Sequence, residues 1–451
     1  MISNSAPHDA ARRTNVQAAA VNAAIAALLV SGILFLHYCR PVLYMGLILE
    51  DFWGEYATFV CYLLAFVFLS WTMVKNPHAR KPGYFLTAAM MFLIAMDEIS
   101  WGQRILNIAT PRAVAKLNYQ SELTIHNIID NMVSIEPLFF TAVFVWVFLL
   151  PFAARLIKPL NAFMARWGIP RAGLEESPYF LIALIFFAFS PVIKSDEISE
   201  LLLAAAFASW AQTVLFDSPD RFANSKAMNT VKRKLALLLV VALSAGALVS
   251  MFGITIPRQR ARLKGQLHWT AAISYPKAGL YPQAGELFKH ILASESLMRK
   301  ESLLQYGIFL SQSDNPEAEA VLKRALVKES ESEVKNPEDP QYNRNKGIIY
   351  KLLKMDAQAH AEFELAMQKD RNRLARVDRD SEKYGPVLSM AKTCVSMENY
   401  GLALQHLKEA VRLAPRELEK LMAEDWMHRI ADKEALPRGR HPQILQYIYL
   451  K

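Results

Sequence analysis

Seven apolar stretches crowd into the first 255 residues, and nothing comparable follows them. They run over 16–36, 56–74, 84–104, 137–152, 178–193, 201–216 and 235–254. A hydrocarbon layer about 30 Å thick is crossed by about 20 apolar residues in a helix, because a helix satisfies its own backbone polar groups. Several stretches are shorter, so flanking polar residues must complete the crossing. With 53% hydrophobic residues the chain is too apolar on average for a purely soluble protein. A polar leader, residues 1–15 with Arg12 and Arg13, precedes the first stretch. More spans follow it, so it reads as a signal anchor and not a cleaved signal peptide.

Loop charge orients the bundle. With the N-terminus in the cytoplasm, Arg12, Arg13, Lys75, Arg80, Lys81, Arg155, Lys158, Arg166, Arg171, Arg221, Lys226, Lys232, Arg233 and Lys234 share one side. The opposite loops hold Arg40, Arg104, Arg112, Lys116 and Lys194. Basic residues accumulate on the cytoplasmic side of a bilayer. Seven crossings then carry everything after Thr255 outward, although Arg258, Arg260, Arg262 and Lys264 run against the rule. The expected localisation is a bacterial inner membrane, multi-pass, with the C-terminal half periplasmic. Residues 16–257 form the membrane domain and 258–270 a linker.

Most of the net charge of +9 belongs to the membrane half, where topology accounts for it. No basic–aromatic interleaving marks a nucleic-acid groove, so nucleic acid is excluded as a partner. Cys39, Cys61 and Cys394 have neither metal-binding spacing nor an evident disulfide pairing.

Beyond the linker, small residues recur at fixed places in polar helical segments. Ala284, Ala318, Ala359 and Ala403 anchor four such segments, at spacings of 34, 41 and 44 residues. A 34-residue period is that of the tetratricopeptide repeat, a helix hairpin that stacks into a solenoid. The longer spacings read as the same unit with charged insertions at 328–341 and 370–383. Ala410 would pack on a neighbouring repeat and Pro415 would stop the last helix. Residues 271–425 are thus a tetratricopeptide-like domain that recruits a protein partner, and 426–451 a capping helix and tail. The fold class is all-α, a seven-span membrane domain plus an α-solenoid.

With this orientation the acids of the membrane half share the outer face. Glu50, Asp51 and Glu55 lie between the first two spans, Asp97 and Glu98 close the third, and Glu136 opens the fourth. Asp196, Glu197 and Glu200 link the fifth and sixth, where they read as a solvated loop. Asp97 lies 14 residues past Gly83. That places it about 21 Å into the layer, where ionisable groups are costly and are kept paired. On a continuous helix Asp51 and Glu55 share a face, as do Asp97, Trp101 and Arg104, so that Arg104 can neutralise Asp97. A long loop then carries Asn118, Gln120, Glu122, His126 and Asn127. Glu122 and His126 are four apart, a spacing suited to a divalent metal or to acid–base chemistry. The quartet Asp97-Glu98-Ile99-Ser100 recurs as Asp196-Glu197-Ile198-Ser199, which raises the question of an internal duplication.

Asp97-Glu-Ile-Ser-Trp-Gly-Gln-Arg104, with Asn118-x-Gln120-x-Glu122-x-x-x-His126-Asn127 and Glu50-Asp51-x-x-x-Glu55-Tyr56, resembles a family of bacterial polytopic membrane proteins over roughly residues 45–130. That resemblance implies a topology and a signature, with Asp97 standing where the family pattern has Glu. A looser likeness is to seven-span ceramidase-type hydrolases, which hold a metal between helix ends. Their paired histidines on the last span have no counterpart, since 235–254 contains no histidine.

The expected function lies in the cell envelope. The membrane domain would act on a lipid or lipid-linked head group, as a metal-dependent hydrolase or transferase. Glu98, His126 and Glu55 supply acid, base or metal ligands, and Asp51, Asp97 and Glu122 join them around a divalent metal. Arg104, Asn118, Gln120, Asn127 and Trp101 bind the head group. The alternative is a non-enzymatic assembly or scaffold factor for a secretion, polysaccharide or appendage machine. An ion-coupled carrier using the carboxylates as proton sites is a third reading.

Overall fold

The computed structural model describes residues 6–49, 52–103, 124, 135–173, 175–216, 226–254, 257–294, 297–299, 301–415 and 417–434. All regular structure among them is helical. The chain divides into two compact units, with the change between Leu263 and Lys264.

The first unit contains α1 (Ala6–Cys39), α2 (Pro41–Ile48), α3 (Trp53–Lys75), α4 (Pro82–Glu98), α5 (Ile135–Phe144), α6 (Leu150–Leu156), α7 (Lys158–Trp167), α8 (Ser177–Phe189), α9 (Ser195–Phe216) and α10 (Lys226–Ile254). Each apolar stretch of the sequence has a helix over most of its described residues, although those at 84–104 and 178–193 run past the helix ends at Glu98 and Phe189. Among the described residues four are long and apolar enough to cross a membrane: Ala19–Cys39, Trp53–Lys75, Glu136–Leu156 and Ser195–Phe216. α4 and α8 are shorter, at 17 and 13 residues.

Helix α9 packs along α3, and α4, α8 and α10 flank this pair. The reason lies in Ala204, Ala206, Ala208 and Ala211, all fully buried, whose small side chains let neighbours approach from several sides. Around them Tyr62, Trp146, Phe180, Phe207 and Trp210 form an aromatic core. Pro151 has no N–H to give the preceding turn, and Val145–Leu149 widens into a π-turn. That turn carries Trp146, whose Nε1 donates to the Pro170 carbonyl at 2.9 Å.

One expectation about the third span is corrected. The helix stops at Glu98, so Asp97 and Trp101 do not lie on one continuous helix. The helix of the second span begins at Trp53, with Phe52 extended before it. The repeated Asp-Glu-Ile-Ser quartet also fails as a duplication. Its first copy ends α4 and its second opens α9, so equal sequences occupy opposite helix ends.

The second unit begins within α11 (Pro257–Ser274), a helix over the stretch read as a linker. Then follow α12 (Tyr281–Ala293), α13 (Ser302–Gln312), α14 (Ala318–Lys335), α15 (Pro340–Leu352), α16 (Asp356–Ala375), α17 (Asp380–Ser396), α18 (Tyr400–Leu413) and α19 (Glu417–Glu434). Each helix from α12 to α19 packs on the next, and α15 also touches α13 and α17. Four residues after the anchoring alanines come Phe288, Leu322, Phe363 and Leu407, all buried. Seven after them come Ile291, Ala325, Ala366 and Ala410, none more than 1% exposed. Gly307 faces Leu322, and Gly347 faces Phe363. A Cβ at either glycine would lie 2.6 or 2.5 Å from the opposing side chain, so the close approach depends on glycine.

The charged stretches read as insertions lengthen helices instead. α14 and α16 have 18 and 20 residues, against 13 and 14 in α12 and α18. Their extensions are joined by charge: Lys369 pairs with Glu333 at 2.8 Å, and Lys346 bridges Glu333 at 2.7 Å and Glu362 at 2.8 Å. Burial alone would raise the Glu333 carboxyl, but the two lysines hold it down to about 2.

Candidate functional site

Three helix ends bring acids together in the membrane unit. Glu55 stands in the first turn of α3, Asp97 and Glu98 end α4, and Glu197 and Glu200 lie in the first two turns of α9. Glu98 sits in the field of Glu200, Glu55, Glu197 and Asp97. Beneath them Tyr62 feels Glu98 and Glu200, and its ring lies 6.0 Å from that of Phe207. Glu55 and Tyr62 are seven apart on α3, as Glu200 and Phe207 are on α9. Each pair therefore lies on one helix face, and the two faces meet. Tyr56, Ile99 and Ala245 form a buried apolar floor close by. Glu197 is also paired with Lys194 at 3.1 Å, across a partly exposed contact.

The turn after α4 is unusual. Ser100, Trp101 and Gly102 have φ of 48°, 55° and 74°, three successive residues in the left-handed region. For side chains other than glycine this costs about 1–2 kcal/mol per residue. The turn folds Trp101 back, so that its Nε1 donates to Asp97 Oδ1 at 3.3 Å. Asp97 is 9% exposed, while Glu55, Glu98 and Trp101 are half-buried. The acids thus lie neither in bulk water nor sealed away.

Of the residues singled out in the sequence, the described set brings together Glu55, Asp97, Glu98 and Trp101. Asp51, Arg104, Asn118, Gln120, Glu122, His126 and Asn127 lie outside the described residues, as does Glu50. Among the described residues no three His, Cys, Asp or Glu side chains are disposed to hold a metal ion. Glu197 and Glu200, expected in a solvated loop, are instead on a helix and within the field at Glu98. Their signal was present in the sequence: Glu197 and Glu200 are three apart, a helical spacing, directly before an apolar run.

A second polar centre went unforeseen. Lys234 of α10 reaches Glu176 Oε1 at 3.1 Å, with the two side chains only 5% and 2% exposed. Its ammonium also donates to Ser209 O and Oγ, both at 2.7 Å, and to Thr213 Oγ1 at 3.0 Å. Ser209 and Thr213, on α9, donate in turn to the two carboxylate oxygens at 2.7 and 2.5 Å. Asn22 of α1 donates to the Glu175 carbonyl at 2.6 Å and accepts from Tyr179 at 3.2 Å. In the sequence Lys234 ends the run Lys232-Arg233-Lys234 and is indistinguishable from charges that only set topology.

No protein-family model, curated protein or solved structure matches the chain.

Proposed function

We propose that the protein is a bacterial envelope membrane protein whose acidic centre acts on a lipid or lipid-linked head group. Its seven spans carry the helix ends, and a tetratricopeptide-like solenoid outside the membrane recruits a protein partner. The reading rests on one observation above others: carboxylates from α3, α4 and α9 converge on Glu98 beside a strained turn. Like charges crowded in a low dielectric favour a bound cation or a shared proton, either of which supports acid–base work on a head group. Glu98 and Glu55 are assigned to that work. His126 and Arg104 are assigned the base and head-group roles on the sequence motif they share with the signature segment. Asn118, Gln120, Asn127 and Trp101 are assigned to binding the head group, and Asp51, Asp97 and Glu122 to a divalent metal.

The test is genetic and chemical. Cells lacking the protein are complemented with wild type, Glu98→Gln or His126→Ala, and their lipid-linked envelope intermediates are quantified. Both variants are expected to reach the membrane at wild-type abundance and to leave the intermediate unprocessed. Full complementation by either would end the enzymatic reading.

A scaffold role is the second reading, and the charge-joined extensions of α14 and α16 favour it, since they enlarge a surface without adding chemistry. Under it, removing residues 279–415 would abolish function and Glu98→Gln would not.

A further inference from the structure

The apolar stretch Glu136–Leu156 ends with α6, and α7 starts at Lys158 after a single extended residue, Ile157. In a bilayer that point is the boundary between acyl chains and head groups. Three sides of α7 differ. On the first it is held to its unit: Met164 is buried, Asn161 accepts from Arg171 Nη2 at 2.5 Å, and Lys81, before α4, donates to the Ala165 carbonyl at 2.7 Å. Gly168 ends α7 at φ 64°, where Lys81 fills the space a Cβ would need. On the second side stand Leu160, Phe163 and Trp167, three and four residues apart. Phe163 and Trp167 are 51% and 46% exposed, with ring centres 6.0 Å apart. The third side carries Lys158 and Arg166, both exposed. Phe152, Leu156 and Ile157, just before α7, are likewise exposed and apolar.

Charge decides what covers the apolar side. No Asp or Glu occurs between Tyr56 and Met96 or between Pro137 and Leu174. These stretches instead bring Arg155, Lys158, Arg166 and Arg171 around α7, with Lys75 ending α3 and Lys81 preceding α4. Among the described residues none of these cations is in an ion pair. Topology alone asks for basic loops and not for a helix with an exposed aromatic side. A second copy of the chain would bring like charges face to face. A leaflet of anionic phospholipid answers both features, since rings enter the acyl boundary while cations meet phosphates. We propose that α7 is an interfacial helix that selects anionic phospholipid, with Phe163 and Trp167 in the acyl boundary and Lys158 and Arg166 at the phosphates. The proposal rests on the first unit lying in a membrane and not on the chemistry at Glu98, so either can fail alone.

Full-length protein in neutral detergent is titrated with phosphatidylglycerol or phosphatidylcholine, each brominated on its acyl chains, while tryptophan emission is followed. The component that Trp167→Phe removes should be quenched by about tenfold less phosphatidylglycerol than phosphatidylcholine. Lys158→Gln combined with Arg166→Gln should remove that preference. Arg379→Gln, at an exposed position of the second unit, should leave it unchanged. If the double variant loses helix content, salt carries the test on the wild type, because added sodium chloride should abolish the preference. Equal quenching by the two lipids, a preference that survives both the double variant and high salt, or quenching by neither lipid overturns the proposal. In the last case a dimer in sedimentation would give this face to a second copy of the chain.

Discussion

Asp370 is fully buried, and one of its carboxylate oxygens has no hydrogen-bond partner. Burial raises its pKa to about 6 despite the Ser389 hydrogen bond and the Arg344 and Arg373 charges, and Asp339 adds to the rise. The folded state therefore holds this proton more tightly than the unfolded chain, whose value is the ordinary 3.8. Below that value the group has no effect. Between that value and about 6 the unfolded chain ionises while the folded state keeps its proton, so stability falls by about 3 kcal/mol across this range and changes no further above it. Asp370→Asn should remove that slope and slow amide exchange in α16 at pH 8, measured on the full-length protein. An unchanged pH dependence would mean that the carboxyl titrates normally. Nothing in the sequence distinguishes Asp370 from the charged residues around it. Burial arises only when α15, α16 and α17 close over it. Asp97 and Glu98 are different, because their place at the end of an apolar run is visible in the sequence.

Helices in the membrane unit are joined at both ends by polar groups, and the Glu176–Lys234 pair shows how strongly. It ties the start of α8 to α9 and α10 through two charges and two hydroxyls. Removing one partner of a buried pair leaves an uncompensated charge, at a cost of about 3–5 kcal/mol. Lys234→Met should lower the thermal midpoint in detergent sharply, and the double variant Glu176→Leu with Lys234→Met should recover most of the loss. A double variant as unstable as the single one would assign the cost to packing rather than to charge. Elements of this kind were partly legible. The apolar runs predicted where helices lie, but not where they stop: α4 ends at Glu98 because Ser100, Trp101 and Gly102 turn left-handed. Of these only Gly102 signals such a turn by its residue type.

For the whole chain the open choice is the side of the membrane on which the second unit lies. On the proposed reading of seven crossings from a cytoplasmic N-terminus, a phosphatase active only in the periplasm should be active when fused after residue 434 and inactive when fused after Lys75. The reverse result after residue 434 would imply an even number of crossings and move the second unit to the cytoplasm. The spacing of the anchoring alanines was readable because the residues four and seven beyond each are buried on the same helix, a periodicity written in neighbouring positions. The added helical turns of α14 and α16 were not, since a charged stretch reads equally as a loop or as an exposed helix face.

Hydropathy and short-range periodicity determined the all-helical class, the positions of the apolar helices and the buried faces of the polar helices in the second unit. These depend on local backbone bonding and on burial of one face, and both are written in neighbouring residues. Which acids meet at Glu98, and that Lys234 belongs to Glu176, were decided only when distant helices packed. Electrostatic partnership depends on distance through space, and a charge in the sequence carries no record of its partner.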